Sequence, residues 1–235
     1  MTPILYSATI VDIIIATPTV KLFLLRCDHS DYRRLAGQWI NVFHNNEGQF
    51  DSASFSVASS PTDAGMIELA IKYSARHSLT RWLHQQARLG DAVRISHGQG
   101  SFVYRQEMGK RVVLIGAGTG ITPLISIARY IADNDLAVDT TLLYSVTSLD
   151  EYLYRTEIGR LSQSSRFHCL TTLTQPDAQW SGTTGRINEP LLQLAGIDTH
   201  TWYYLCGPQA MVDEISERLV ALGTRPEQTI YEKWW

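Results

Sequence analysis

The stretch RVVLIGAGTGITP, residues 111–123, decides how the rest of the chain is interpreted. Its apolar run at residues 112–115 is short and rich in β-branched side chains, as expected of a buried strand. Glycines then stand at alternate positions: Gly116, Gly118 and Gly120. A helical pattern opens at Thr122 and Pro123, and proline suits a first helical turn. A strand, a glycine turn and a helix N-terminus in this order predict a site for an anion such as pyrophosphate.

The glycine spacing differs from the dinucleotide fingerprint, in which the third glycine comes one residue later. Glycines are also common in ordinary turns between a strand and a helix. The stretch alone therefore leaves two interpretations open, a nucleotide site and a structural turn.

The composition is that of a globular protein with room for one large domain or two small ones. The chain has 235 residues, of which 44% are hydrophobic and 18% are charged. A formal net charge of −3 gives no electrostatic reason to expect nucleic acid or an anionic membrane as partner. No apolar run reaches the roughly 18 residues of a membrane span. The first residues lack the features of a signal peptide.

The cysteines, Cys27, Cys169 and Cys206, are scattered and odd in number. This pattern argues against a disulfide framework and indicates a reducing, cytoplasmic compartment. No pair has the close spacing of a zinc or iron–sulfur site, so we expect no metal. Cys27 and Cys169 lack any motif around them and are expected to be core residues.

The N-terminal part of the chain has the pattern of a small antiparallel barrel or sandwich. Short runs rich in β-branched or aromatic residues alternate there with turn formers. The predicted strands are residues 8–15, 21–27, 39–43, 54–58, 66–73 and 93–96. One helix is predicted at residues 78–87, because Leu79, Leu83 and Ala87 share a face.

The C-terminal part alternates strands with helices. Strands are predicted at residues 112–115, 140–145, 167–173, 202–206 and 229–232, and helices at 123–133, 152–161, 189–194 and 209–222. This succession predicts a doubly wound parallel sheet with helices on both faces. We place the boundary at residues 106–110, which gives domains 1–106 and 107–235.

Ligands of doubly wound sheets bind outside the carboxyl ends of the strands. The glycine turn meets that description. So does the segment Cys206-Gly207-Pro208, where a strand again leads through a turn into a helix. Cys206 falls at the strand end, from which reacting groups usually project.

These residues resemble the ferredoxin–NADP reductase superfamily, which includes flavin reductases and oxygenase reductases. Within it they are most similar to stand-alone oxidoreductase NAD-binding-domain-containing proteins. The resemblance covers essentially the whole chain and rests on motifs that occur in the family's order. They are FSVASSP at residues 55–61, Lys72-Tyr73 with SLTRWLH at 78–84, the glycine turn, Cys206-Gly207-Pro208 with Met211, and YEKWW at 231–235.

The resemblance implies an N-terminal FAD-binding antiparallel β-barrel and a C-terminal NAD(P)-binding α/β domain. It implies a flavin-dependent oxidoreductase that transfers a hydride from NAD(P)H to FAD and passes electrons on to an unidentified acceptor. The expected partners are a pyridine nucleotide and an electron acceptor, either a protein or a small molecule.

Ser56, Cys206 and Glu232 match the family's catalytic positions. The resemblance places Ser56 at the flavin N5, Cys206 beside the nicotinamide C4, and Glu232 close to both rings. A hydroxyl that donates and accepts suits an atom that gains and loses a proton. The alternatives are an outward-facing strand serine and an inert buried cysteine.

Further positions match the family's cofactor-binding segments. They are Phe55, Ser56, Val57, Ala58, Lys72, Tyr73, Ser78, Leu79, Thr80, Gly116, Ala117, Gly118, Thr119, Gly120, Thr122, Pro123, Cys206, Gly207, Pro208, Met211, Trp234 and Trp235. Phe55 is expected to pack on the isoalloxazine ring, or otherwise in the core. Ser78 or Thr80 is expected to cap a helix whose free N–H groups bind the flavin pyrophosphate. The two tryptophans are expected to dock on a flavin or nicotinamide ring, or otherwise to fill the groove between the domains.

The sequence departs from the wider family at Ala53, where an arginine usually contacts the flavin phosphate. Loss of that bidentate partner weakens flavin binding unless Arg76, Arg81 or Lys72 compensates. The stand-alone subfamily also tends to lack this arginine.

The coenzyme is expected to be NADH rather than NADPH. An NADPH site needs cationic partners after the second strand of the α/β domain, and residues 145–151, SVTSLDE, contain no basic residue. Asp150 or Glu151 could face the ribose hydroxyls, while Arg155 and Arg186 remain as candidate phosphate partners.

Two other functions stay open. One is an NAD(P)H:flavin reductase that uses free flavin as a substrate, which the missing arginine favours. The other is a non-catalytic nucleotide-binding regulatory module, although such a module would need none of Ser56, Cys206 and Glu232.

Overall fold

In the part of the chain that the structure describes, two six-stranded sheets follow one another. The structure, a computed structural model, describes residues 4–46, 49–63 and 65–234. Trp235, one of the expected ring-docking residues, lies outside them.

The first sheet is antiparallel and closes almost into a barrel. Its strands are β1 (Leu5–Ile15), β2 (Val20–Arg26), β3 (Trp39–Asn46), β4 (Gln49–Ser56), β5 (Met66–Lys72) and β6 (Ala92–Ser96), in the order β4-β3-β6-β1-β2-β5. An isolated bridge from Val57 to Leu69 brings the two edge strands, β4 and β5, together. Helix α1 (Ser78–Gln85) adds Leu79 and Leu83 to the barrel core.

The second sheet is parallel throughout. Its strands are β7 (Arg111–Ala117), β8 (Asp139–Val146), β9 (Phe167–Leu173), β10 (Thr183–Thr184), β11 (Trp202–Pro208) and β12 (Thr229–Trp234), in the order β10-β9-β8-β7-β11-β12. The helices are α2 (Ile121–Asp133), α3 (Arg155–Leu161), α4 (Glu189–Ala195) and α5 (Gln209–Ala221).

Helices cover both faces of this sheet, because the side chains of β7 alternate between two cores. Val112 and Leu114 pack with α2 and α3, whereas Val113 and Ile115 pack with α4 and α5. The doubly wound arrangement is therefore confirmed.

The strand order reverses between β7 and β11. From β7 the chain crosses through α2 to β8 on one side, and β11 later pairs with β7 on its other side. The loops that follow β7 and β11 consequently diverge at the same edge of the sheet, which is the usual ligand-binding crevice of such folds.

One of the cores continues from the parallel sheet into the barrel part of the chain. Phe102 and Tyr104, which follow β6, are buried in the same core as α2 and Tyr204. The rings of Phe102 and Tyr204 meet edge to face at 5.4 Å, and the Tyr204 hydroxyl donates to the Val103 carbonyl at 3.2 Å.

Some boundaries differ from those predicted. β4 begins at Gln49, well before residue 54, because it forms a hairpin with the whole of β3. α3 begins at Arg155 and not at residue 152, because Tyr154 adopts a left-handed conformation with φ +58°. β12 extends to Trp234, which lies opposite Pro208 in the register with β11.

Within the described residues the longest helices, α2 and α5, have 13 residues each. None therefore reaches the roughly 20 residues that a helix needs to cross a bilayer.

Candidate active site

The glycine turn lies at the edge where the strand order reverses. Gly118 has φ +54°, a conformation that favours glycine, and a Cβ there would meet nothing within 4 Å. The Tyr144 hydroxyl, on the neighbouring strand β8, donates to the Gly118 carbonyl at 3.0 Å and holds the turn in place. The turn thus presents bare backbone to open space at the N-terminus of α2, as an anion site requires.

Gly120 serves a different purpose, because it brings two loops into contact. A Cβ on Gly120 would collide with the Cys206 carbonyl group and with the Gly207 Cα. The first helical turn begins at Ile121, one residue before the predicted opening, and the Thr122 hydroxyl donates to the Thr119 carbonyl at 2.7 Å.

Cys206 lies between the two other strands that end at this edge. In the sheet register it is opposite Gly116 of β7 on one side and Glu232 of β12 on the other. Its side chain is fully buried, and burial raises the pKa of the thiol well above its usual range. Cys206 is therefore a neutral thiol at physiological pH.

Glu232 faces the barrel from the end of β12. The Ser56 hydroxyl, at the end of β4, lies 3.5 Å from Glu232 Oε2, the long limit of a hydrogen bond. Burial raises the pKa of Glu232 to about 7, while hydrogen bonding from Trp234 and Ser56 acts in the opposite direction. A carboxyl group that titrates near neutral pH thus meets a hydroxyl from the other part of the fold.

A cleft of about 170 Å³ opens beside this pair. The side chains around it come from both parts of the fold: Ser54, Phe55, Ser56, Ala70 and Lys72 from the barrel, and Thr119, Thr122 and Trp234 from the α/β part. The structure therefore brings together six of the residues expected to bind cofactor. Among the described residues that line the cleft, Lys72 alone carries a charge.

Ser54 and Ala70 are lining residues that the sequence reasoning missed. Ser54 stands two residues before Ser56 on β4, and Ala70 stands two residues before Lys72 on β5. Because side chains alternate along a strand, each residue shares a face with its motif neighbour, and this period of two could have identified both.

Other expected cofactor residues face elsewhere. Val57 and Leu79 belong to the barrel core, and Ala58 is buried in the core shared with α2. Met211 packs against Gly207, and the exposed Tyr73 accepts a hydrogen bond from Gln85 on α1. The side chains of Val57, Ala58 and Leu79 are therefore buried away from any ligand, whereas that of Tyr73 is exposed.

The expected helix cap is wrong. His77 is the N-cap residue of α1, and no side-chain cap hydrogen bond is present among the described residues. The Thr80 hydroxyl instead donates to the carbonyls of Ser74 and His77, at 2.9 and 3.0 Å. The N-terminus of α1 therefore has two features that suit an anion: its first turn is uncapped, and positively charged side chains lie nearby.

That positive charge belongs to Lys72, Arg76 and Arg81, which are all exposed. In the part of the chain that the structure describes, none of them forms an ion pair. Their charges are therefore not neutralised by a carboxylate in that part of the chain.

Asp150 and Glu151 were the two acids that could face the ribose hydroxyls. Glu151 is not free to do so. Its Oε2 accepts hydrogen bonds from the hydroxyls of Thr17 and Thr19, at 2.9 and 2.8 Å. Glu151 thus joins the two parts of the fold, and Asp150 is left as the exposed acid of the segment.

Comparisons with known proteins agree with this architecture. Residues 7–104 match the family model of the oxidoreductase FAD-binding domain, and residues 114–217 match that of the oxidoreductase NAD-binding domain. Oxidoreductase NAD-binding domain-containing protein 1 of Danio rerio is 33% identical over 98% of this chain and 92% of that protein. The phenol hydroxylase P5 protein of Acinetobacter pittii is 29% identical over 97% of this chain and 63% of that protein.

Two solved structures show the same fold. A ferredoxin NADP+ reductase from Neisseria gonorrhoeae with bound FAD and NADP has a TM-score of 0.83 at 22% identity, over 98% of this chain and 99% of that one. The cytochrome b5 reductase domain of Ulva prolifera nitrate reductase has a TM-score of 0.85 at 21% identity, over 97% of both chains. With its two matched domains, this chain belongs to the oxidoreductases that join an FAD-binding domain to an NAD-binding domain, together with oxidoreductase NAD-binding domain-containing protein 1.

Proposed function

We propose that the chain is an NAD(P)H-dependent flavin oxidoreductase in which hydride passes from the pyridine nucleotide to FAD. The observation that carries the proposal is the meeting of Ser56 and Glu232 across the two parts of the fold, at the edge where Cys206 and the glycine turn also end. A module that only bound a nucleotide would not need a titratable carboxyl group beside a hydroxyl at that place.

The lining of the cleft fits a flat, partly polar ring. Phe55 and Trp234 supply aromatic surface, Ser56 supplies a hydroxyl, and Lys72 supplies a positive charge. The uncapped N-terminus of α1, with Arg76 and Arg81 beside it, suits the flavin diphosphate. The open backbone at Gly118 suits the diphosphate of the pyridine nucleotide.

A flavin bound there would accept two electrons and a proton as hydride from the reduced pyridine nucleotide, and would pass the electrons on to an acceptor. The chain itself supplies orientation and proton handling. Ser56 can donate to or accept from a ring nitrogen, and Cys206 gives the nicotinamide side an uncharged, buried wall. Glu232, with its pKa raised to about 7 by burial, can hold or release a proton at Oε2 beside the Ser56 hydroxyl.

Three further assignments belong to the proposal. The cofactor-binding parts are residues 1–106 for flavin and 107–235 for the nucleotide. NADH is the preferred coenzyme, because residues 145–151 carry no base and Asp150 is exposed among them. A cytoplasmic location follows from the scattered cysteines.

A second candidate is a reductase that takes free flavin as a substrate. Ala53 favours it, since no guanidinium stands at that position to retain the flavin phosphate. The two candidates differ in how long the flavin stays bound.

The test is an absorption spectrum of the purified protein, repeated after anaerobic addition of NADH and then of NADPH. Flavin near one per chain that is bleached faster by NADH supports the resident-flavin oxidoreductase. A colourless protein that oxidises NADH only when flavin is added supports the second candidate. If neither nucleotide reduces any flavin, the chain is not this kind of enzyme.

The residue roles need a separate test. We expect Ser56→Ala combined with Cys206→Ala to slow NADH oxidation by about 10²-fold or more, because orientation at the reacting atoms is lost. Unchanged oxidation by the double variant would contradict the assigned roles.

A further inference from the structure

Helix α2 carries a polar stripe along an otherwise apolar helix. The residues of this stripe are Thr122, Ser126, Arg129 and Asp133, whose spacing of four, three and four places them on one face. All four face the barrel. Thr122 lines the cleft, and the other three form hydrogen bonds with barrel residues.

The hydrogen bonds between the stripe and the barrel become more exposed to solvent from the N-terminal to the C-terminal end of α2. Ser126 is 1% exposed and donates to the Ser59 carbonyl at 3.0 Å. At the far end, Thr62 donates to Asp133 at 2.9 Å on the surface. Between them lies Arg129, a charged residue that is partly buried.

Arg129 binds two carboxylates at once, and only one of them belongs to the barrel. Its Nη1 lies 3.0 Å from Oε1 of Glu68 on β5. Its Nε and Nη2 lie 2.7 and 2.5 Å from the two oxygens of Glu157 on α3, in a bidentate pair. The three side chains are only 15–21% exposed, so water screens this network little.

The barrel partner stands on the strand that forms a wall of the cleft. Glu68, Ala70 and Lys72 share a face of β5, and the last two line the cleft. On the other side, Thr122 lies seven residues before Arg129, or about 10 Å along α2 at 1.5 Å per residue. The Arg129–Glu68 bond therefore joins the two elements that carry opposite walls of the cleft.

We propose that Arg129 is a positioning residue that sets the spacing between α2 and β5, and hence between the nucleotide and the flavin. The inference rests on the proposed function for its consequence in catalysis. The bond to Glu68 sets this spacing, whereas the pair with Glu157 only fastens α2 to α3 within the α/β part.

The two carboxylates provide a matched pair of variants. Glu68→Leu removes the bond between the domains, and Glu157→Leu removes the stronger bond within one domain. At saturating NADH we expect Glu68→Leu to slow reduction of bound flavin by about 10- to 100-fold, because small misplacements of reacting atoms are costly. Glu157→Leu should change this rate less than threefold or so, although it removes two hydrogen bonds. Glu68→Gln, which keeps an acceptor for Arg129, should recover most of the rate.

A second measurement does not depend on activity. Spin labels on noncanonical residues at the exposed positions 88 and 217 report the distance between the two parts of the fold. We expect this distance distribution to broaden in Glu68→Leu and in Arg129→Met, and to stay unchanged in Glu157→Leu.

The outcomes separate the two proposals. If the unchanged protein does not reduce flavin, the proposed function fails, and the distance measurement alone decides the role of Arg129. If the protein does reduce flavin, the rate loss in Glu68→Leu and Glu157→Leu is compared with the stability that each variant loses. If the less stable variant is also the slower one, Arg129 is only structural and the inference is wrong. An unchanged distance distribution in Glu68→Leu would also overturn it.

Discussion

At the scale of the residue, Glu232 couples stability to pH. Its pKa rises from an ordinary 4.5 to about 7 on folding, because burial disfavours the carboxylate. Between these values the folded chain binds more protons than the unfolded chain, so the free energy of unfolding falls as pH rises. Glu232→Gln removes this titration. We expect it to stabilise the protein by ~1–2 kcal/mol at pH 8, after allowance for partial solvent screening, and to have little effect at pH 4.5.

Urea denaturation at the two pH values checks this expectation. Glu227→Gln, at an exposed position in the turn before β12, is the control and should change stability equally little at both. A gain in Glu232→Gln that is the same at both pH values would show that the carboxyl group is not buried in its neutral form.

The residues of the site differ in how far the sequence could predict them. Ser56, Cys206 and Glu232 lie in motifs. Cys206 and Glu232 are neighbours because parallel strands finish at one edge of the sheet, whereas Ser56 comes to them from the antiparallel barrel. The roles of Arg129 and Glu151 could not be predicted, because their partners are Glu68, Thr17 and Thr19, far away in the sequence. Contacts between distant residues leave no local pattern when both partners are ordinary polar types.

At the scale of the element, the start of α1 links helix stability to ligand binding. His77 has the extended backbone of an N-cap residue, with φ −108° and ψ 119°, but its side chain makes no cap. We expect His77→Asn and His77→Asp each to stabilise the protein by about 1 kcal/mol, because either side chain can accept a bond from the first turn. Chemical denaturation measures this gain.

The two variants should differ in flavin binding. If the diphosphate lies at this helix end, the aspartate charge repels it and weakens flavin affinity about two- to fivefold, whereas asparagine does not. Titration of the flavin-free protein followed by fluorescence gives the comparison. Equal affinities for the two variants would place the diphosphate elsewhere.

Element boundaries were predicted well where apolar runs end at turn formers, as in β9, whose predicted and observed ranges coincide. They were predicted poorly where the backbone depends on tertiary contacts. The polar first half of β4 is a strand only because β3 pairs with it, and α3 starts late because Tyr154 is held in a left-handed conformation. Propensity at those positions is overridden by pairing and packing.

At the scale of the whole molecule, one of the hydrophobic cores is common to the two parts of the fold. Phe102, which is 2% exposed, packs from the barrel side into the core built by α2 and the parallel sheet. This continuity predicts that the protein unfolds in a single transition, with equal calorimetric and van't Hoff enthalpies.

Substitution of the shared core should break that cooperativity. Phe102→Ala removes contacts between the parts and should cost about 3–5 kcal/mol, so we expect its melting curve to separate into two transitions. Phe23→Ala removes the same side chain from the barrel's own core, where it is fully buried, and leaves the contact between the parts intact. We expect Phe23→Ala to lower the free energy of unfolding by about as much as Phe102→Ala, but the protein should still melt in one transition. Two transitions in the unchanged protein, or one in both variants, would mean that the shared core does not couple the barrel to the parallel sheet.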